Sequence, residues 1–209
     1  MRATYNAIAG QSLERLAALS DGVFAIAMTL LVLDLHVPPT SGIVSERDLL
    51  HAFAPLAPQI VAYLMTFLTL GLFWVGQQTQ FSRLTRSDRN LAWIHIGFLL
   101  AVTLTPFSTA LLAQFIHFRV ALFAYWANIL LLGIALMVSW RYATGAGLLK
   151  DDTTPEIGRA MERRIIIAQA IYALGAALCV INTYVSIGVI VIVQLLYVFA
   201  PRNSFLYRL

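Results

Sequence analysis

Apolar residues gather into six long stretches separated by short polar breaks, at about 16–37, 58–81, 91–115, 120–142, 165–182 and 185–200. A helix rises about 1.5 Å per residue, so about 20 apolar residues cross the hydrocarbon core of a bilayer. The pattern predicts six membrane-crossing helices, the last two short and joined by almost no loop. Pro55 and Pro58 fall near the start of the second, where a missing N–H is tolerated. Pro106 lies inside the third and predicts a kink unless a neighbour satisfies the freed carbonyl. Residues 150–164 read as the one sizeable polar loop, with the mixed-sign 156–164 run a solvated loop or helix start. The first stretch is longer than the apolar core of a secretory signal, carries Asp21 and Asp34, and lacks a small-x-small pattern before Pro38. It reads as a retained first helix.

Composition makes the membrane reading firm. Of 209 residues, 60% are hydrophobic and 11% charged, and mean hydropathy is +0.79. Soluble domains carry about 25% charged residues, so this chain lacks the polar surface of a soluble domain. The expectation is an all-α integral membrane protein, with residues 1–209 forming a single six-helix unit. The net charge of +4 does not point to nucleic acid, because the basic residues sit between apolar stretches rather than on one face. A lone Cys179 offers no disulfide framework and no cysteine-based zinc site within one chain.

The positions of the charges set an orientation. Arg2 and Arg15 precede the first stretch, and Arg83, Arg86 and Arg89 separate the second from the third. Arg141, Lys150, Arg159, Arg163 and Arg164 lie between the fourth and fifth, and Arg202 and Arg208 follow the sixth. The other side receives only Arg47 and Arg119. The positive-inside rule places both termini in the cytoplasm.

On a helical wheel of the first stretch, Leu19, Leu30, Leu33 and Val37 lie within about 40° of Ile26, and Val23 and Thr29 within about 60°. Ser20 and Asp21 point about 120° and 140° away. An aliphatic stripe of this kind packs or faces lipid in most helices. A carboxylate inside a crossing segment is costlier, and Asp21 is expected to be buried with a partner among Arg15, Ser20, Trp74 and His95. His95 has no second histidine or acid at helical spacing and reads as a hydrogen-bonded structural residue, not a metal ligand. His36, His51 and His117 read as interfacial. Gly71 and Gly76 allow close helix approach. Ser20, Asp21 and His95 form no hydrolase triad: adjacent helical side chains diverge by about 100°, and no G-x-S-x-G elbow is present.

Arg15-x-x-x-Leu19-Ser20-Asp21, followed by Gly22-Val23-Phe24-Ala25-Ile26-Ala27-Met28-Thr29-Leu30, resembles the signature of the transmembrane protein 175 family. Phe73-Trp74 and Thr105-Pro106-Phe107 agree with it. Leu19 stands where phenylalanine is usual, and Gln77 and Gln78 where many relatives have histidines. The resemblance implies a potassium-permeable channel of the cell membrane, here the bacterial plasma membrane, assembled as a homotetramer with the first helix lining the pore. It places a hydrophobic constriction at Ile26, continued by Leu30 and Leu33, with Thr29 as a hydroxyl layer. Arg15, Ser20 and Asp21, with Trp74 and His95, would form a polar network holding the pore helix. No cofactor is implied; potassium and other monovalent cations are the cargo.

No TVGYG-like loop is present, so a ring of carbonyls replacing the hydration shell is not on offer. A ring of aliphatic side chains instead gates by excluding water, and favours potassium moderately because potassium holds its shell less tightly than sodium. Asp34, about 80° from Ile26 near the outer end, concentrates cations at the pore mouth or is a solvated interfacial residue. The competing reading is a proton-coupled secondary transporter in which a buried Asp21 titrates. Carriers usually show internal repeats and interrupted helices, and no repeat is visible here.

Overall fold

A computed structural model describes residues 12–199; Arg2, Arg202, Arg208 and Ala200 lie outside them. Among the described residues the chain is helical, with one isolated bridge between Leu84 and Leu149. Helix α1 (Leu13–Leu30) continues as a 3-10 turn, Leu31–Asp34. A short helix α2 (Glu46–Phe53) precedes α3 (Ala57–Phe81), α4 (Arg89–Gln114), α5 (Arg119–Gly145), α6 (Pro155–Ala177) and α7 (Thr183–Phe199). Five helices, α1 and α3 to α6, are long and apolar enough to cross a membrane, and α7 is a shorter apolar helix. The protein is a membrane protein.

Two local differences from the sequence expectation have clear causes. The supposed loop 150–164 is mostly helix, from Pro155 onward: Thr154 accepts from the Ile157 N–H, and Pro155 occupies the first helical position. Three polar turns of α6 therefore precede its apolar part. Helix α2 was hidden between the first two stretches; Ser45 caps it, accepting from the Asp48 N–H at 3.3 Å.

Loops meet at two opposite ends. The α3–α4 and α5–α6 connections join through Thr85 N–H to Leu148 O and Lys150 N–H to Arg83 O, both 2.9 Å, with Arg83 3.7 Å from Asp152. At the other end Arg119 donates to the Val180 carbonyl at 2.9 Å. Close helix approach comes at Gly133, where any Cβ would strike the Gln169 side chain, and at Gly175 against Ile190. Gly71 and Gly76 do not have this role: a Cβ at Gly71 meets nothing within 4 Å, and one at Gly76 meets Leu136 at an ordinary 3.8 Å.

Buried polar side chains tie α3 to α7 together. Thr66 and Thr109 hydroxyls pair at 2.9 Å, Thr69 lies 3.2 Å from the Tyr125 hydroxyl, and Gln194 donates to Thr69 (2.6 Å) and Tyr172 (3.2 Å). With lipid outside, such bonds give helices a directional reason to associate that apolar contact does not supply.

Asn128 on α5 meets the turn before Pro106, at Ala101 and Thr105 and not at Val102, whose carbonyl the proline frees. The Asn128 amide nitrogen donates to the Ala101 carbonyl at 3.0 Å and its oxygen accepts from the Thr105 N–H at 3.2 Å, bracing the turn before the proline. The opposite orientation would set oxygen against oxygen and NH2 against N–H, which fixes the assignment.

Candidate functional site: the two faces of the first helix

Helix α1 starts where the Ser12 hydroxyl accepts from the Arg15 N–H at 3.3 Å. Leu16, Ser20, Phe24, Ala27 and Leu31 recur at helical spacing and are buried, against α3 and α4. The opposite face is bare: Ile26 is 61% exposed, Leu30 45% and Leu33 68%. Thr29 is also exposed, and its hydroxyl donates to the Ile26 carbonyl at 2.9 Å, which leaves its oxygen lone pairs outward. Asp34 is half-buried in the 3-10 turn, with its carbonyl oxygen 2.9 Å from His36 Nδ1.

Ser20 and Asp21 do not share one network. Neighbours on a helix diverge by about 100°, and the two side chains enter different surroundings. Ser20 is fully buried; Gln77 donates to its oxygen at 3.2 Å, and its hydroxyl faces His95 Nε2 and the Leu16 carbonyl. The His95 ring lies between Phe81 and Phe98, with centroids 4.8 and 5.4 Å away, and Phe98 meets Phe24 at 5.9 Å. Asp21 is exposed instead of buried, and its Oδ1 accepts from Trp74 Nε1 at 2.8 Å and from Gln78 at 2.9 Å. Arg15 enters neither set; its exposed guanidinium makes no hydrogen bond or ion pair within the described residues.

Gln77 and Gln78 stood out in the sequence only as departures from a pattern. In the structure each donates to one member of the Ser20-Asp21 pair. The signal that finds them is spacing: Trp74, Gln77 and Gln78 lie at i, i+3 and i+4 on one face of α3. Among the described residues no group of three or more His, Cys, Asp or Glu side chains is placed to hold a metal.

The family model described as endosomal/lysosomal potassium channel TMEM175 matches residues 15–106, from Arg15 to Pro106. A potassium channel of Streptomyces collinus is 35% identical over 176 residues, 82% of each chain. The chain belongs to the TMEM175 family. A solved structure, described as a lysosomal potassium-selective channel TMEM175 homolog from Chamaesiphon minutus, superposes with a TM-score of 0.77 at 30% identity. That likeness covers 92% of this chain and 98% of that one. An endosomal/lysosomal proton channel TMEM175 of Danio rerio is 38% identical over 91 residues, 41% of this chain but 18% of that protein. TMEM175 relatives are ion channels, not enzymes.

Proposed function

We propose that this TMEM175-family chain is one subunit of a homotetrameric, potassium-permeable channel of the bacterial plasma membrane, with α1 lining the pore. The observation that carries this reading is the bare face of α1. Ile26, Leu30 and Leu33 stand on it in a stripe, with a hydroxyl at Thr29 between them and a carboxylate at Asp34 beyond. A lipid-facing helix has no use for the exposed Asp21 edge; a four-fold axis gives it a place. The neighbouring subunit covers Asp21, Trp74 and Gln78, which keeps a carboxylate out of hydrocarbon. The short α7 completes six crossings: its 17 residues span about 26 Å, close to the ~30 Å core with slight local thinning. Both termini are cytoplasmic, since the arginine-bearing loops that meet at one end belong inside.

Four copies of Ile26, with Leu30 and Leu33 one and two turns outward, form a hydrophobic constriction. Its selectivity rests on dehydration: the ion sheds part of its shell, which costs potassium less than sodium, and Thr29 oxygens partly replace the lost water. Asp34 raises the local cation concentration at the outer mouth.

The competing reading is a proton-coupled secondary transporter, with Asp21 as the titrating group. The position of Asp21 weighs against it. Its carboxylate is held by two neutral donors on α3, off the Ile26 stripe. Planar-bilayer recordings of the purified protein, with potassium on one side and sodium on the other, test the reading. The expected reversal potential shifts toward the potassium equilibrium value with unitary current steps, and Ile26→Asn wets the constriction and brings that potential toward zero. Sealed bilayers with confirmed insertion, together with proton-coupled uptake abolished by Asp21→Asn, would establish the carrier instead.

A further inference from the structure

An open groove runs between α3, α5, α6 and α7 and takes no residue from α1. Leu72, Phe73, Leu136, Ile165 and Ala168 make its walls apolar, while Arg164 and Tyr197 supply polar groups. Arg164 lies nine residues into α6, about 14 Å from its start, and Tyr172, also in the groove, is about 12 Å farther along the helix. Arg83, Arg141 and Arg159 each sit beside a carboxylate, at 3.7, 3.4 and 3.4 Å. Arg164 and its neighbour Arg163 are exposed and have no carboxylate partner among the described residues.

We propose that this groove is a binding site for an anionic phospholipid of the cytoplasmic leaflet, one acyl chain lying along the apolar walls and the phosphate on Arg164. The leaflet assignment rests on the orientation proposed above. Charge complementarity selects the occupant. A basic group at the cytoplasmic boundary, at the mouth of an apolar slot between helices, fits a lipid phosphate. A guanidinium binds phosphate oxygens in a bidentate manner. A zwitterionic lipid fills the same walls but brings a cation beside the phosphate, so it gains less from Arg164.

The test is native mass spectrometry of the full-length protein released from nanodiscs of equal parts phosphatidylglycerol and phosphatidylcholine. Lipid adducts of the wild type are expected to be enriched in phosphatidylglycerol. Arg164→Gln is expected to reduce that enrichment about fivefold, the worth of one interfacial basic residue. Arg164→Lys keeps part of it, and Arg159→Gln, which removes an already paired charge, leaves it unchanged. Wild-type adducts in the bulk proportion would overturn the site, as would full enrichment in Arg164→Gln or an equal loss in Arg159→Gln. The readout is lipid retention, so a failure of the channel reading would show in the bilayer recordings and not here.

Discussion

Helices α1 and α6 are both poorly covered by the rest of the subunit: 28% of the apolar window is buried in the first and 22% in the second. What they leave uncovered differs. Beyond Arg164, the exposed residues of α6 and its 3-10 extension are Ile166, Ala170, Leu174, Ala177 and Val180, all apolar. Over a similar length α1 exposes Asp21 and Thr29 among its aliphatics. Equal exposure thus carries opposite meanings. Hydrocarbon suits the outward face of α6, whereas the outward face of α1 carries a carboxylate that hydrocarbon does not suit. Polar bonds dock both. Helix α6 meets α5 and α7 through close glycine contacts at Gly133 and Gly175 together with bonds from Gln169 to the Ile129 carbonyl and from Gln194 to Tyr172, and α1 is held by a polar seam at Ser20 flanked by aromatic rings.

Breaking the α1 seam has the largest expected consequence. Ser20→Leu forces a larger side chain into a fully buried site and strips His95 and Gln77 of a partner, at a cost of about 3 kcal/mol. Heating the protein and following its elution peak by fluorescence-detected size exclusion should show a clearly lowered midpoint. An unchanged midpoint would mean that the apolar contacts alone dock α1. Next in size is Asn128→Leu, which leaves the Ala101 carbonyl and the Thr105 N–H without their brace and costs about 2 kcal/mol. If the brace serves the proline turn, the same change in a Pro106→Ala background costs about 1 kcal/mol less, a coupling that a double-mutant cycle of thermal stabilities measures.

The sequence made the broad contrast legible and left its partners hidden. The apolar stretches place the crossing helices nearly end to end with the observed ones, since 20 apolar residues have few other uses. The wheel places Ile26, Leu30 and Leu33 on one side of α1, and the structure leaves that side bare. What periodicity carries no information about is which polar group on another helix meets which. Asp21 was expected among buried partners, yet its wheel angle names a direction and not a depth. Trp74 and Gln78 lie at the rim of α3, so the carboxylate they hold stays exposed. Asn128 was invisible for the same reason: nothing within α5 refers to a proline 22 residues earlier, on another helix. The polar start of α6 was hidden because its charges read as solvent, although Thr154-Pro155 is a helix-start signal available in the sequence.

Asp21→Asn sharpens the contrast at the proposed subunit edge. The amide oxygen still accepts one bond, but the charge-assisted pair from Trp74 and Gln78 weakens by about 1 kcal/mol per subunit. The expected outcome is a larger monomer fraction on dilution in detergent, with helix content by circular dichroism unchanged. An assembly as persistent as that of the wild type would mean that the Asp21 edge lies outside the proposed subunit interface.

The smallest structural effect belongs to a matched pair of substitutions that separates the two bare faces by what they do. Ile166→Thr on α6 and Ile26→Thr on α1 each exchange one exposed β-branched side chain for another of similar shape. In a helix the new hydroxyl can bond a carbonyl one turn back, as Thr29 already does, so each change should alter thermal stability by under about 0.5 kcal/mol. Stability therefore does not distinguish them, and permeation does. A hydroxyl at Ile166 meets only lipid and should leave unitary current and reversal potential as in the wild type. On the proposed pore reading a hydroxyl at Ile26 lowers the cost of keeping water in the constriction, and should raise the current while reducing the preference for potassium over sodium. If both variants conduct like the wild type, the bare face of α1 is a lipid face like that of α6, and the pore must be sought along the Asp21 edge.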